Sequence, residues 1–296
     1  MKAGRIVPLC CFLLIASAFA QEGPGTITVE PSEIFQGGIA VVTFTGKEVA
    51  GAKVFFGDME IVPFPMPDGS YAALVGVDLE RPPGAVTISI RSRSGAGQQW
   101  ERRVTASVLA KEYPSEAFSV PPSFDQIDAA TMRRINREQA EFDRLWKTRP
   151  ASRLWDGGFL APVAVQITSP FGLRRVINSS PRAPHGGVDL KAQLGAEIAA
   201  ANHGRVALRD DFYFSGKSVV LDHGGGAYTM YFHLSEFRVE KNAAVRKGEV
   251  IGLAGMTGRV TGPHLHWGAR LNGARVDPME LLKIEGKRQE AEGSRQ

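Results

Sequence analysis

Thiol chemistry is almost missing from this chain. Its 296 residues include two cysteines, Cys10 and Cys11, side by side near the start. A chain that sheds its leader keeps neither, which excludes disulfide staples, thiolate nucleophiles and cysteine-held metal. Histidine is also scarce, at six residues. Charge is nearly balanced, with 35 Lys and Arg against 31 Asp and Glu, a formal net charge of +4. No dense basic stripe interleaved with aromatics occurs, so nucleic acid is not an expected partner. After the first twenty residues no apolar run is long enough to cross a bilayer, and stable membrane insertion is not expected.

The first twenty residues carry a basic start, Lys2 and Arg5, and an apolar run from Ile6 to Phe19. They end in Ala18-Phe19-Ala20 before Gln21. That is the pattern of a secretory signal peptide, residues 1–20, too short to serve as an anchor. Both cysteines fall early in the run, whereas a lipoprotein needs one at its end. The reading is an exported protein, periplasmic or extracellular.

From residue 21 to about 110, short stretches alternate apolar and polar residues, as in IAVVTFTG and GAVTISIRSRS. Turn residues such as Pro67-Asp68-Gly69 and Pro82-Pro83-Gly84 separate them. Regularly spaced short strands predict a β-sandwich of immunoglobulin-like type. Residues 111–150 read as a linker followed by a helix. Pro114, Pro121 and Pro122 mark the linker. After them Ile127, Met132, Ile135, Phe142, Leu145 and Trp146 recur at helical spacing, and Ser123 or Asp125 can cap the start. Such a helix packs on one of the domains or gates a site. Strand patterns and dense glycine return over residues 151–285, with no helix–strand alternation. Residues 286–296 form a polar tail.

Four histidines fall in three short patterns: HGGVDL with His185 and Asp189, YFHLS with His233, and HLH with His264 and His266. On a strand, residues two or four apart share a face. His264 and His266 then project together, as do His185 and Asp189. Imidazoles with a carboxylate are catalytic-zinc ligands, three of which leave one position open. Zinc there lowers the pKa of water and polarises a carbonyl, and a histidine off the metal moves protons. Five candidates exceed three ligands, and spacing does not say which two are surplus.

From about Thr168 to Leu282 the chain resembles the lysostaphin-type zinc metallopeptidases. The resemblance rests on an ordered set of motifs. These are Ser169-Pro-Phe-Gly-Leu-Arg174, His185-Gly-Gly-Val-Asp189, His223-Gly-Gly-Gly226, Tyr231-Phe-His233-Leu234 and His264-Leu-His266. It implies that His185, Asp189 and His266 hold Zn2+, while His233 and His264 stay off the metal and assist catalysis. It assigns His223 a structural place, and His203 matches no motif. The expected fold is mainly β: an N-terminal sandwich, a connecting amphipathic helix, and a C-terminal antiparallel sheet of barrel-sandwich-hybrid character. The expected function is hydrolysis of peptide cross-links in bacterial peptidoglycan, with its stem peptides as partner. The alternatives are a non-catalytic wall-binding or amidase-activating protein, which predicts eroded ligands, and a secreted peptidase acting on soluble proteins. The position of residues 21–150 suggests that they restrict access to the groove.

Overall fold

The computed structural model describes residues 24–46, 49, 51–93, 99–121, 126–148 and 152–284. The expected leader and the polar tail lie outside them. Among the described residues, no helix is long and apolar enough to cross a membrane.

Alternation in the N-terminal part produces two sheets facing across one core. One sheet runs Pro24–Glu30, Ile39–Gly46, Tyr71–Gly76 and Phe64–Pro65. The other runs Glu33–Phe35, Gln99–Leu109, Gly84–Arg93, Lys53–Phe56 and Met59–Ile61. Every second residue points inward, so Val42 and Phe44 meet Val54, Phe56, Ile88 and Ile90 in a dry core.

The stretch expected to be a linker is partly built into a sheet. Ser115–Phe118 pairs in parallel with Arg174–Ile177, and Glu116 forms an ion pair with Arg175 at 2.6 Å. The helix spans Ala129–Leu145. Its cap is Asp128, whose Oδ1 accepts the N–H groups of Ala130 and Thr131 at 2.8 and 3.0 Å. The caps expected from sequence, Ser123 and Asp125, lie outside the described residues. Met132, expected on the buried stripe, is 42% exposed. The C-terminal end of the helix carries the packing. Phe142 lies 4.9 Å from the Phe212 ring, and Trp146 lies 5.5 Å from Tyr228.

The C-terminal part is a branched ten-stranded sheet. Its path runs Ile167–Ser169, Gly187–Leu190, Leu265–Leu271, Ala227–Phe237, Gly216–Asp222, Gly204–Phe212 and Ala244–Val245. Glu197–Ala199, Val250–Ala254 and Ala274–Val276 branch from it. Its core extends into the sandwich, since Ile39, Leu74 and Leu79 pack in one cluster with Leu271 and Val276. Gly76 makes this approach feasible: a Cβ there would stand 2.8 Å from Leu271 Cβ and 2.9 Å from Val276 Cγ1. Polar bonds tie the same seam. Arg275 Nη2 lies 2.7 Å from both Asp78 and Glu80, and Asn272 Nδ2 donates to the Leu74 carbonyl at 3.2 Å.

Candidate metal centre

Three neighbouring strands set the site. Asp189 lies opposite His266, and Phe232 lies opposite His266 on the other side. The register therefore places Asp189, His266 and Phe232 in one row across the sheet, on one face. Phe232 stacks on the His266 ring at 5.2 Å and 6°. Gly187 lets the outer strand lie this close, because a Cβ there would meet the Trp267 carbonyl at 2.4 Å and His266 Nε2 at 2.7 Å.

The structure differs from the strand-spacing expectation at His185. His185 does not share a strand with Asp189, because the strand begins at Gly187. Instead the turn before Leu173 holds His185: its N–H donates to the Leu173 carbonyl at 3.0 Å, and its own carbonyl accepts from Gly172 at 2.9 Å. His233 follows Phe232 directly and would face away from the site in a regular strand. It sits at φ 65°, where the register with the Gly216–Asp222 strand shifts. The bulge and the left-handed backbone turn its ring back, to 4.8 Å from His264 and 6.1 Å from His266. A non-glycine residue held there stores about 1–3 kcal/mol, which the surrounding sheet must offset.

His185 Nε2, Asp189 Oδ1 and His266 Nδ1 form a triangle. The two nitrogens are 2.9 Å apart, and each is 3.0 Å from the carboxylate oxygen. Each ring nitrogen carries one hydrogen or one lone pair, so hydrogen bonds cannot satisfy all three sides. A shared cation can. Zinc–nitrogen and zinc–oxygen bonds of about 2.0–2.2 Å at tetrahedral angles separate ligand atoms by roughly 3.3–3.5 Å, which the triangle approaches to within about half an ångström. The residues fit zinc in type, number and convergence. No other group of three or more His, Cys, Asp or Glu side chains converges in this way among the described residues.

Backbone carbonyls fix the remaining nitrogens. Nδ1 of His185 lies 2.9 Å from the Pro170 carbonyl, that of His233 3.0 Å from Thr257, and that of His264 2.9 Å from Gly262. Each Nδ1 must carry the hydrogen to donate to a carbonyl, so in the neutral ring the lone pair is on Nε2. His264 Nε2 stands 3.7 Å from Asp189 Oδ1. Burial pushes the His233 pKa down to about 3, and the neighbouring His266 adds to the effect. Burial also lowers that of His266, against the bond from Asp189. Burial alone would raise Asp189, but its bonds to His185 and His266 outweigh it and hold the carboxyl far below the usual range. A neutral His266 beside an ionised Asp189 is the pair of protonation states that metal ligation requires.

The other two histidines stand apart. His223 is fully buried, between the His203 carbonyl and Thr229 Oγ1, each at 2.7 Å. His203 Nδ1 accepts the Lys247 N–H at 3.2 Å. Sequence reasoning did not find the three anchoring carbonyls or the Phe232 stack. It also missed a cavity of about 290 Å3 that reaches His266 beneath the helix, between Phe142, Trp146, Phe212 and Phe232. Phe232 is the strand partner of His266, and that register, which the pattern of YFHLS does not show, puts it on the face of the site.

Comparison with known proteins places the chain in a family. The profile of peptidase family M23 matches residues 183–278. A crystal structure of an M23-type peptidase from Pseudomonas aeruginosa is 31% identical. The match covers 84% of this chain and 94% of that one, with a TM-score of 0.63. The chain belongs to peptidase family M23, a zinc-dependent metallopeptidase family, as its ordered motifs implied. Over 127 residues it is 40% identical to the DD-carboxypeptidase/endopeptidase Mpg of Neisseria meningitidis, covering 42% of this chain and 29% of that protein. Over 116 residues it is 39% identical to the peptidoglycan DD-endopeptidase ShyA of Vibrio cholerae, covering 39% of this chain and 27% of that one. The chain thus matches less than a third of the length of these curated relatives.

Proposed function

We propose that this protein is an exported zinc endopeptidase that hydrolyses peptide cross-links in bacterial peptidoglycan. The observation that carries the reading is the triangle of His185, Asp189 and His266, whose three mutual contacts hydrogen bonds cannot satisfy. The relatives named as peptidoglycan endopeptidases support the substrate class. In this reading the triangle holds zinc, and zinc when bound polarises a carbonyl and acidifies water. His233 and His264 stay off the metal. Their Nε2 lone pairs are free to take a proton during attack on the peptide carbonyl and to return it to the leaving amine. The carbonyls of Thr257 and Gly262 keep both rings oriented through that cycle. The site then lies outside the cytoplasm, where the wall is. The test is incubation of the zinc-loaded protein with purified sacculi, followed by mass spectrometry of the released fragments. Fragments cut within the peptide cross-links are expected. A fully zinc-loaded protein that releases none contradicts the reading.

A further inference from the structure

The cavity beneath the helix holds one cation that its surroundings do not neutralise. Three charged side chains line it: Glu138, Arg270 and Arg275. Glu138 is occupied, with one oxygen 2.6 Å from Arg134 Nε and the other accepting the Tyr213 N–H at 2.9 Å. Arg275 is paired with Asp78 and Glu80. Arg270 has no carboxylate within 4.0 Å among the described residues. Its Nη1 donates to the Gly273 carbonyl at 2.7 Å, and its Nε is buried without a partner. The guanidinium lies 4.7 Å from the centre of the Trp146 ring. Burial drives its pKa down to about 10, the like charge of Arg275 adds to this, and the more distant Asp78 and Asp143 only partly offset it. A half-buried cation without a counter-charge is costly, and a ligand anion would remove that cost.

Position ties this cation to the site. His266, Gly268 and Arg270 alternate on one face of the Leu265–Leu271 strand. Gly268, between the other two, makes room for the Met230 side chain, whose Cε a Cβ there would meet at 2.5 Å. Four residues of strand put Arg270 about 13 Å from His266 along the sheet, a span that an extended peptide covers in about four residues. Phe142, Trp146, Phe212 and Phe232 give the cavity an apolar wall.

We infer that this cavity is a substrate subsite in which Arg270 binds a peptide carboxylate lying about four residues from the scissile bond. The inference rests on the peptidase reading above and names what that site selects. The carboxylate comes either from the end of the peptide or from an acidic side chain within it.

A synthetic cross-linked stem-peptide dimer in three forms tests this: fully acidic, amidated at its terminus, and amidated on its side chains. Cleavage gives kcat/KM, and calorimetry gives the affinity of each form. In the parent, one of the two amidations should lower kcat/KM by about tenfold to a hundredfold, the effect of losing a charge-assisted bond. The form affected identifies the source of the carboxylate. In Arg270→Gln the acid-to-amide ratio should collapse to about twofold, and Arg270→Lys should restore part of it. A purely structural role for Arg270 would lower all three forms equally and leave the ratio intact, which overturns the inference. So does a parent indifferent to amidation in both cleavage and binding. A parent that cleaves no form but still binds the acid preferentially removes the peptidase reading and leaves the subsite standing.

Discussion

Replacing His223 with glutamine tests whether a neutral imidazole holds the centre of the C-terminal core. The ring is fully buried, and its two nitrogens reach the His203 carbonyl and Thr229 Oγ1. Tyr231 continues the chain, with its hydroxyl 2.9 Å from Thr229 Oγ1 and accepting the Ala201 N–H at 2.8 Å. Burial pushes the pKa of His223 from 6.5 down to about 4. Between those values the unfolded chain binds a proton that the folded chain refuses. The stabilisation is therefore complete above pH 6.5 and drains away as pH falls towards 4. At about 1.4 kcal/mol per pH unit, the loss over that window is about 3 kcal/mol. Glutamine keeps one donor and one acceptor but does not ionise. At pH 7.5 the variant should be less stable than the parent by about 1–3 kcal/mol, through imperfect bonds in a buried network. Near pH 4 that gap should close or reverse. Urea unfolding of both proteins at the two pH values measures it. The parent-minus-variant difference isolates His223, because every other titrating group is common to both. A difference that stays constant to within about 0.5 kcal/mol would refute the reasoning.

Three further outcomes follow from the packing. Gly187→Ala should displace the His266 ring, whose Nε2 would stand 2.7 Å from the new Cβ, and should lower zinc content and wall hydrolysis together. Gly186→Ala meets nothing within 4 Å and should change neither, as metal analysis beside a sacculus-release assay will show. Asp78→Asn weakens a partly exposed ion pair with Arg275, so the loss should be about 1 kcal/mol and roughly 2–4 °C in a melting scan. Burial opposes ionisation of Asp78, but the Arg275 bonds win and lower its pKa; the pair's contribution is therefore present at neutral pH and lost on acidification. A chain starting near residue 151 lacks the cover over Leu271, Val276 and Tyr228, and should aggregate or melt earlier when followed by light scattering.

Much of the site was legible because its chemistry is written in short motifs. The alternation rule put His264 and His266 on one face, while the pairing of Asp189 with His266 came only with the sheet register. It says nothing of His233, where a bulge and a left-handed backbone turn the ring to the face opposite the one a regular strand would give it. Such a reversal depends on the partner strand and on Ser215, not on the residues flanking His233. The rule failed for His185, which the turn before Leu173 holds. The helix was readable from its period; its cap is the local Asp128, and Met132 is exposed because the aromatic packing is made at the other end, by Phe142 and Trp146. The parallel strand at Ser115–Phe118 was hidden by the prolines around it. Nothing local showed that Gly76 would admit Leu271 and Val276, so the core shared between the two halves needed the fold.

The central claim divides the HLH pair, with His266 holding zinc and His264 working beside it. Bound zinc per chain, measured by atomic absorption in the parent, His264→Ala and His266→Ala, tests it most directly. Cleavage of a cross-linked peptide is followed in the same samples. His264→Ala should keep the parent's zinc and lose about 10²–10⁴-fold in rate, as expected for a proton-transfer group. His266→Ala should lose both zinc and activity. Zinc lost from His264→Ala and retained in His266→Ala would reverse the two roles and contradict the account.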